Sequence, residues 1–179
     1  MREALIVSTA RTPIGKAFRG AFNDTQAQEM AGHAIAEAVK RSKVSKEEID
    51  DVIIGAAGQQ GSQQGNIARQ SLLRAGLPVS VAGMSLDRQC ASGMMAIATA
   101  AKEITEDGMT ITVGGGVESV SLVRNENFRM DRARDPWLEE NIPSLYMTMI
   151  ETAENVAKRY GISRESQDEY SLQSQMRTA

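Results

Sequence analysis

Short apolar runs alternate with longer stretches of helical period along the first part of the chain. Four runs predict strands, at residues 3–10, 52–54, 82–87 and 109–119. Three stretches between them predict helices, at residues 24–42, 66–78 and from about 91 to 108. Strands that alternate with helices favour an α/β layered fold with a mostly parallel sheet.

Two of these helices carry further detail. In the first, apolar side chains recur at spacings of three and four residues along one face, and Asp24 or Thr25 is in place to cap its start. The third is rich in Ala, Met and Ile on all sides, which predicts a helix that is buried all round.

The pattern weakens from Leu122 to about Tyr146, where the chain is polar and carries two prolines and the only tryptophan. This change predicts an excursion from the core. The residues after it predict two helices separated by Gly161. The chain stops at Ala179 inside the second of them, so we expect a fragment of a longer protein.

The composition is that of an ordinary globular protein, with 41% hydrophobic and 24% charged residues. A net charge of −3 gives no sign of a nucleic-acid or anionic-membrane surface. No apolar run is long enough for a signal-peptide core or a membrane span. One cysteine and one histidine cannot form an internal disulfide or a zinc cage. We therefore expect a cytoplasmic protein that binds no metal, nucleic acid or membrane.

The single cysteine, Cys90, lies between the third predicted strand and the third predicted helix. A free cysteine is most often a small buried hydrophobe, and the residues alone leave that alternative open. The position also fits a nucleophile, because the N–H groups and dipole at a helix start favour a thiolate. Ser92 and Gly93 permit a tight turn that brings amides close to a reacting carbonyl.

Five segments stand in order along the chain: VSTARTPIGKAFRGAF, QQGSQQGNIARQ, DRQCASGMMAIATAAKEI, GGGVESVS and TAENVAKRYGISRESQDEYSLQSQ. Together they resemble the N-terminal part of the thiolases, the acyl-CoA C-acyltransferase family, from Arg2 to the end of the chain. In that family they correspond to the opening strand and turn, a dimer-interface loop, the nucleophile segment, a glycine-rich strand end and the inserted loop domain.

The resemblance implies a fold and a domain plan. The complete protein would have five αβαβα layers. Residues 1–121 would be an incomplete N-terminal thiolase core domain and residues 122–179 the beginning of the loop domain, with the C-terminal thiolase domain absent from this chain.

The resemblance also implies a chemistry. An acyltransferase of fatty acid metabolism and β-oxidation would form or cleave 3-ketoacyl-CoA, with Cys90 carrying the acyl group. Acyl-CoA and CoA would be substrates or products, with no further cofactor, and the protein would be a homo-oligomer, a dimer or tetramer. Thiolases hold their catalytic histidine, second cysteine and side-chain oxyanion donor in the C-terminal half, so we expect no turnover from these 179 residues alone.

Met149 occupies the place of a thiolase methionine that contacts CoA, with plain helix packing as the alternative. Thr148 and Ile150 stand where many thiolases have histidine and glycine, so the acyl specificity stays open. His33 matches no thiolase catalytic motif and is expected on a solvated helix face.

The three glycines 114–116 indicate close backbone packing at a strand end, and Glu118 and Ser119 behind them are in place to shape the pocket. Four arginines, at positions 124, 129, 132 and 134, form a basic cluster that could meet the phosphates of CoA. The acidic residues between them favour a mixed surface or a subunit contact instead.

Two other classes of function stay open. A condensing enzyme that decarboxylates a malonyl thioester resembles thiolases around the cysteine, but not through residues 152–170. A non-catalytic binding or assembly subunit is the second alternative, because the catalytic partners of the cysteine are missing from the chain.

Overall fold

The structure is a computed structural model that describes residues 2–179. It divides into two compact units, of which the first ends at Phe128 and the second is Arg129–Ala179. The domain limits expected for the complete protein, 1–121 and 122–179, stay a prediction.

A three-stranded parallel sheet forms the centre of the first unit. Its strands are β1 (Asp51–Gly55), β2 (Ala82–Leu86) and β3 (Thr112–Gly116), in the order β2–β1–β3. The central strand β1 is buried along its whole length, as is usual for a parallel strand with neighbours on both sides. The predicted α/β class with a parallel sheet is confirmed.

Helices cover both faces of this sheet. The unit contains α1 (Ala27–Ser42), α2 (Ile67–Arg74), α3 (Ser92–Thr105) and the short α4 (Val120–Val123). Side chains of β1 alternate between two cores, because successive residues of a strand point to opposite faces. Val52 and Ile54 join the larger core with α1 and α2, and Ile53 packs with α3.

Two glycines let the start of α3 lie directly on the strand ends. A Cβ atom on Gly55 would lie 2.2 Å from the carbonyl carbon and oxygen of Ser92, and one on Gly116 would lie 3.0 Å from the Cα of Gly93. A side chain would overlap the helix at Gly55 and would be crowded against it at Gly116, so the first turn of α3 packs against the bare backbone of β1 and β3. This contact fixes the position of the residues just before α3.

Residues 3–10 do not form the predicted strand, and that prediction is wrong for this chain. Leu5, Ile6 and Val7 are 70–78% exposed, and this segment pairs with no strand of the described residues. Apolar, β-branched residues make a strand only where a neighbouring strand satisfies their backbone groups.

Two expectations about helices also fail. Helix α3 buries only the face that meets the sheet, while Met94 on another face is 77% exposed, because the first unit packs on one side of the helix alone. The N-cap residue of α1 is Gln26, and no side chain caps the helix. Asp24 and Thr25 lie before the N-cap position and do not cap the helix.

The second unit is helical, with α5 (Pro136–Asn141), α6 (Met149–Tyr160) and α7 (Arg164–Thr178). The two predicted helices around Gly161 are confirmed, and this glycine ends α6 in the left-handed conformation at φ 63°. Thr148 and Glu151 form a capping box at the start of α6. No helix among residues 2–179 is long and apolar enough to cross a membrane.

Two carboxyl groups are buried together on the α3 side of the sheet. Burial raises the pKa of Glu103, in the last turn of α3, and the charges of Asp51 and Asp107 raise it further. Burial also raises the pKa of Asp51, although the N–H of Val52 donates a hydrogen bond to it at 2.6 Å. One oxygen of Glu103, Oε2, is buried without a hydrogen-bond partner.

Replacement of Glu103 by Gln should raise the free energy of unfolding at neutral pH by about 1 kcal/mol. At low pH this carboxyl is protonated in both the folded and the unfolded protein, so its burial costs no free energy of charge desolvation. The folded state then loses stability as the pH rises through the raised pKa. The advantage of Glu103→Gln should therefore grow from about pH 4 towards pH 7. Urea unfolding at both pH values tests this, with the exposed Glu106→Gln as control; a difference independent of pH would contradict it.

Substitution of Gly55 by Ala should destabilise the protein by about 1–3 kcal/mol, because the new methyl group overlaps the backbone of Ser92. Gly115→Ala is the matched control, since its Cβ would meet only the Cδ1 of Ile54 at an ordinary 3.8 Å. Thermal unfolding of the two variants measures the difference. Equal stability of both would show that the glycine contact does not hold α3 in place.

Candidate active site

Cys90 lies on a tight elbow between β2 and α3, and its side chain is exposed. The alternative of a buried hydrophobe is therefore wrong for this chain. The residue before it, Gln89, adopts a left-handed backbone at φ 49°, which is uncommon for a residue other than glycine. Such strained positions cluster at functional sites.

The side chain of Ser92 stabilises this conformation of the elbow. Its buried hydroxyl accepts a hydrogen bond from the N–H of Arg88 at 2.8 Å and donates one to the carbonyl of Gln89 at 2.6 Å. The N–H of Gln89 donates to the carboxylate of Asp87 at 2.7 Å. These bonds satisfy the polar groups of the elbow and leave the thiol outside them.

The first turn of α3 offers backbone amides beside the thiol. The N–H of Ser92 donates to the carbonyl of Gln89 at 3.0 Å, and the N–H of Met95 to that of Ala91 at 2.9 Å. Between them, the N–H groups of Gly93 and Met94 have no acceptor within residues 2–179, as is usual for a helix start. Free amides in such a place can stabilise the developing negative charge of a thioester oxygen.

A cavity of about 640 Å³ opens at the thiol, at the carboxyl ends of β1 and β3. Ligands of open parallel sheets bind at this edge. Its walls are the loop after β1, the elbow, and the chain that follows β3. The residues that line it, besides Cys90, include Gly58, Gly93, Glu118 and Arg124.

The glycines and polar residues singled out from the sequence are found at this edge. Close backbone packing is confirmed for Gly114, where a Cβ would lie 2.8 Å from the Cα of Ile97, and for Gly116, where it would lie 3.0 Å from the Cα of Gly93. It is wrong for Gly115, whose Cβ would make only an ordinary contact at 3.8 Å. Glu118 lines the cavity, and the buried Ser119 lies directly behind it.

Other predicted residues lie elsewhere. His33 is exposed on α1, as expected, and does not line the cavity. Met149 is the first residue of α6 in the second unit and is 73% exposed, so its contact with CoA stays a prediction.

Two of the four arginines of the predicted basic cluster are paired with acidic neighbours. Arg129 pairs with Asp131 at 2.9 Å and Arg134 with Glu139 at 3.0 Å, both on the surface of the second unit. These pairs agree with the mixed surface that the interspersed acidic residues indicated. Arg124, in the first unit, is the member of the cluster that lines the cavity.

One residue of the site was missed from the sequence. Gln63 is fully buried and hydrogen-bonded to two walls of the cavity. It stands among four other glutamines between positions 59 and 70, and no local pattern distinguishes it from them.

Known proteins are similar to this chain in both sequence and fold. The family model "Thiolase, N-terminal domain" matches residues 4–179. The 3-ketoacyl-CoA thiolase of Bacillus subtilis (strain 168) is 39% identical over 181 residues, which cover 100% of this chain and 45% of that protein. The acetyl-CoA acetyltransferase of Cupriavidus necator is 38% identical over 185 residues, which cover 98% and 47%.

The crystal structure of the Bacillus anthracis acetyl-CoA acetyltransferase superposes with a TM-score of 0.80 at 37% identity. The match covers 96% of this chain and 45% of that one. This chain spans about half the length of the curated relatives that it matches. Family model, sequence and structure agree along nearly all of its residues, and the chain belongs to the thiolase N-terminal domain family.

Proposed function

We propose that this chain carries the nucleophile of an acyltransferase that forms or cleaves 3-ketoacyl-CoA. The observation that carries the proposal is the placement of Cys90, an exposed thiol on a strained elbow that opens into the cavity at the strand ends. The names of the relatives support the same chemistry, since they are a 3-ketoacyl-CoA thiolase and acetyl-CoA acetyltransferases.

The reaction has two steps at the same sulfur. The thiolate of Cys90 attacks the carbonyl carbon of an acyl-CoA, a bond from carbon to Sγ forms, and the bond from carbon to the CoA sulfur breaks. The departing CoA thiolate takes up the proton that Cys90 has lost. A base then takes a proton from the α-carbon of a second acyl-CoA, which attacks the acyl-cysteine. A carbon–carbon bond forms, the bond from carbon to Sγ breaks, and Cys90 leaves as a thiolate that takes up that proton from the base.

The amides at the start of α3 are suited to the first of these steps. The carbonyl oxygen of the bound thioester gains negative charge as Sγ attacks, and the N–H of Gly93, which lines the cavity, has no competing acceptor among the described residues. The bases for Cys90 and for the α-carbon belong, by the family resemblance, to the C-terminal half of a complete thiolase.

The finer parts of the proposal concern substrate and setting. We place the activity in fatty acid β-oxidation and the protein in the cytoplasm, where a single free cysteine stays reduced. CoA is a substrate or product, and the protein uses no other cofactor. The exposed Met149 would pack its soft thioether against the pantetheine arm of CoA.

Incubation of the full-length protein with acetyl-CoA should transfer one acetyl group to Cys90. Peptide mapping by mass spectrometry locates the adduct, and Cys90→Ser and Cys90→Ala serve as controls. Both variants should lose the adduct and the thiolysis activity, because neither can form the thioester. An acetyl group on another residue, or full turnover by Cys90→Ala, would show that the nucleophile lies elsewhere.

The complete protein should also be a homo-oligomer, built from a dimer through the loop of residues 59–70 and the edge at residues 84–87. The strand β2 supports this proposal, because it ends the sheet and one of its edges pairs with no other strand of residues 2–179. Light scattering on the full-length protein should give the mass of a dimer, or of a tetramer made of two dimers. An active protein that stays monomeric at every concentration would rule out this assembly.

A further inference from the structure

Two loops that are distant in sequence face each other across the cavity of Cys90. One follows β1 and contains Ala57 and Gly58, and the other follows β3 and contains Glu118. The N–H of Ala57 donates to Oε2 of Glu118 at 2.8 Å, and the N–H of Gly58 donates to Oε1 of Glu118 at 3.2 Å. A single carboxylate therefore joins the two walls.

Gln63 reinforces this junction from inside the protein. Its side chain is fully buried, and its Nε2 donates to the carbonyl of Gly58 at 2.7 Å and to Oε1 of Glu118 at 2.7 Å. Its Oε1 accepts a hydrogen bond from the N–H of Ser119. Every polar atom of this buried amide is thus satisfied by one of the two walls, which makes its position specific.

The two walls are also in steric contact beneath these hydrogen bonds. A Cβ on Gly58 would lie 2.9 Å from Cγ1 of Val123, and one on Gly61 would lie 2.5 Å from the carbonyl oxygen of Leu122. The loop after β1 therefore rests on α4 without room to slide. The steric contact sets how closely the walls approach, and the hydrogen bonds of Glu118 and Gln63 set their register.

We infer that Glu118 and Gln63 form a clamp that positions the acyl thioester for attack by Cys90. The inference rests on the proposed function. The clamp holds the walls between which the thioester must lie, and its residues hydrogen-bond to protein groups, so we assign them a positioning role. Attack requires the reacting atoms to approach to about 3–3.5 Å in the correct direction, so a small shift of a wall lowers the rate strongly.

The clamp has a second effect on the same step. Ala57 and Gly58 line the cavity, and without Glu118 their N–H groups would have no acceptor among the described residues. Because Glu118 occupies both of them, neither is available to the thioester oxygen, whereas Gly93 at the start of α3 keeps an N–H that is free within residues 2–179. The thioester oxygen is thereby kept from the amides of the loop after β1, and the N–H of Gly93 remains available to it.

The test compares two reactions of Cys90 in the full-length protein. Acylation by acetyl-CoA needs a positioned thioester, whereas alkylation by iodoacetamide needs only an accessible thiol. Glu118→Ala and Gln63→Met should each slow acylation by about 10²-fold, because the walls lose their register. Alkylation should keep its wild-type rate, since the hydrogen bonds that hold the elbow involve neither residue.

Two further variants make the comparison decisive. Glu126→Ala removes an exposed carboxylate further along the same chain segment and should change neither rate. Glu118→Gln keeps the shape of the side chain but loses one acceptor oxygen, and it should acylate more slowly than wild type even if Glu118→Ala fails to fold.

The outcomes separate the clamp from the proposed function. Wild-type acylation rates in Glu118→Ala or Glu118→Gln would overturn the clamp alone. Slow acylation of Glu118→Ala together with a wild-type acylation rate in Gln63→Met would also overturn it, because Glu118 would then act without Gln63. A wild-type protein that is alkylated at Cys90 but not acylated there would overturn the proposed function, and the clamp with it.

Discussion

The backbone of α3 lies directly on the backbone of the sheet, and the geometry of the candidate site depends on this contact. It exists because Gly55 and Gly116 have no side chain where the first turn of the helix meets the strand ends. Any larger residue would push the helix start outwards and move the elbow with it. The position of Cys90 therefore depends on the absence of a side chain at two residues of the sheet, one on β1 and one on β3.

The elbow is held by hydrogen bonds that are local in the sequence, and the cavity walls by hydrogen bonds that are not. The elbow is a local structure, in which the buried hydroxyl of Ser92 satisfies its neighbours and leaves the thiol exposed. The walls are held across the fold by Glu118 and Gln63, whose hydrogen bonds span two loops. The thiol and the cavity beside it can thus be disturbed separately by mutation.

Much of this architecture could be predicted from local patterns. The three strands of the sheet and most of the helices follow from the period of their apolar residues, and Cys90 follows from its place at a helix start. Residues 3–10 were mispredicted because a strand needs a neighbour, which no local pattern reports. Gln63 was missed for a related reason, since its burial depends on Gly58 and Glu118, which approach it only in the folded chain.

The hydrogen bond from Ser119 to Gln63 joins residues that are 56 positions apart in the sequence. Contacts of such long range require the chain to close a large loop, at a cost in entropy, before they add stability. The sheet has to bring the end of β3 beside β1 before the amide of Gln63 can be buried with its hydrogen bonds made. The hydrogen bonds of the elbow join residues 87–92 and have no such requirement, so the chain around the thiol can adopt its local conformation before the walls of the cavity come together.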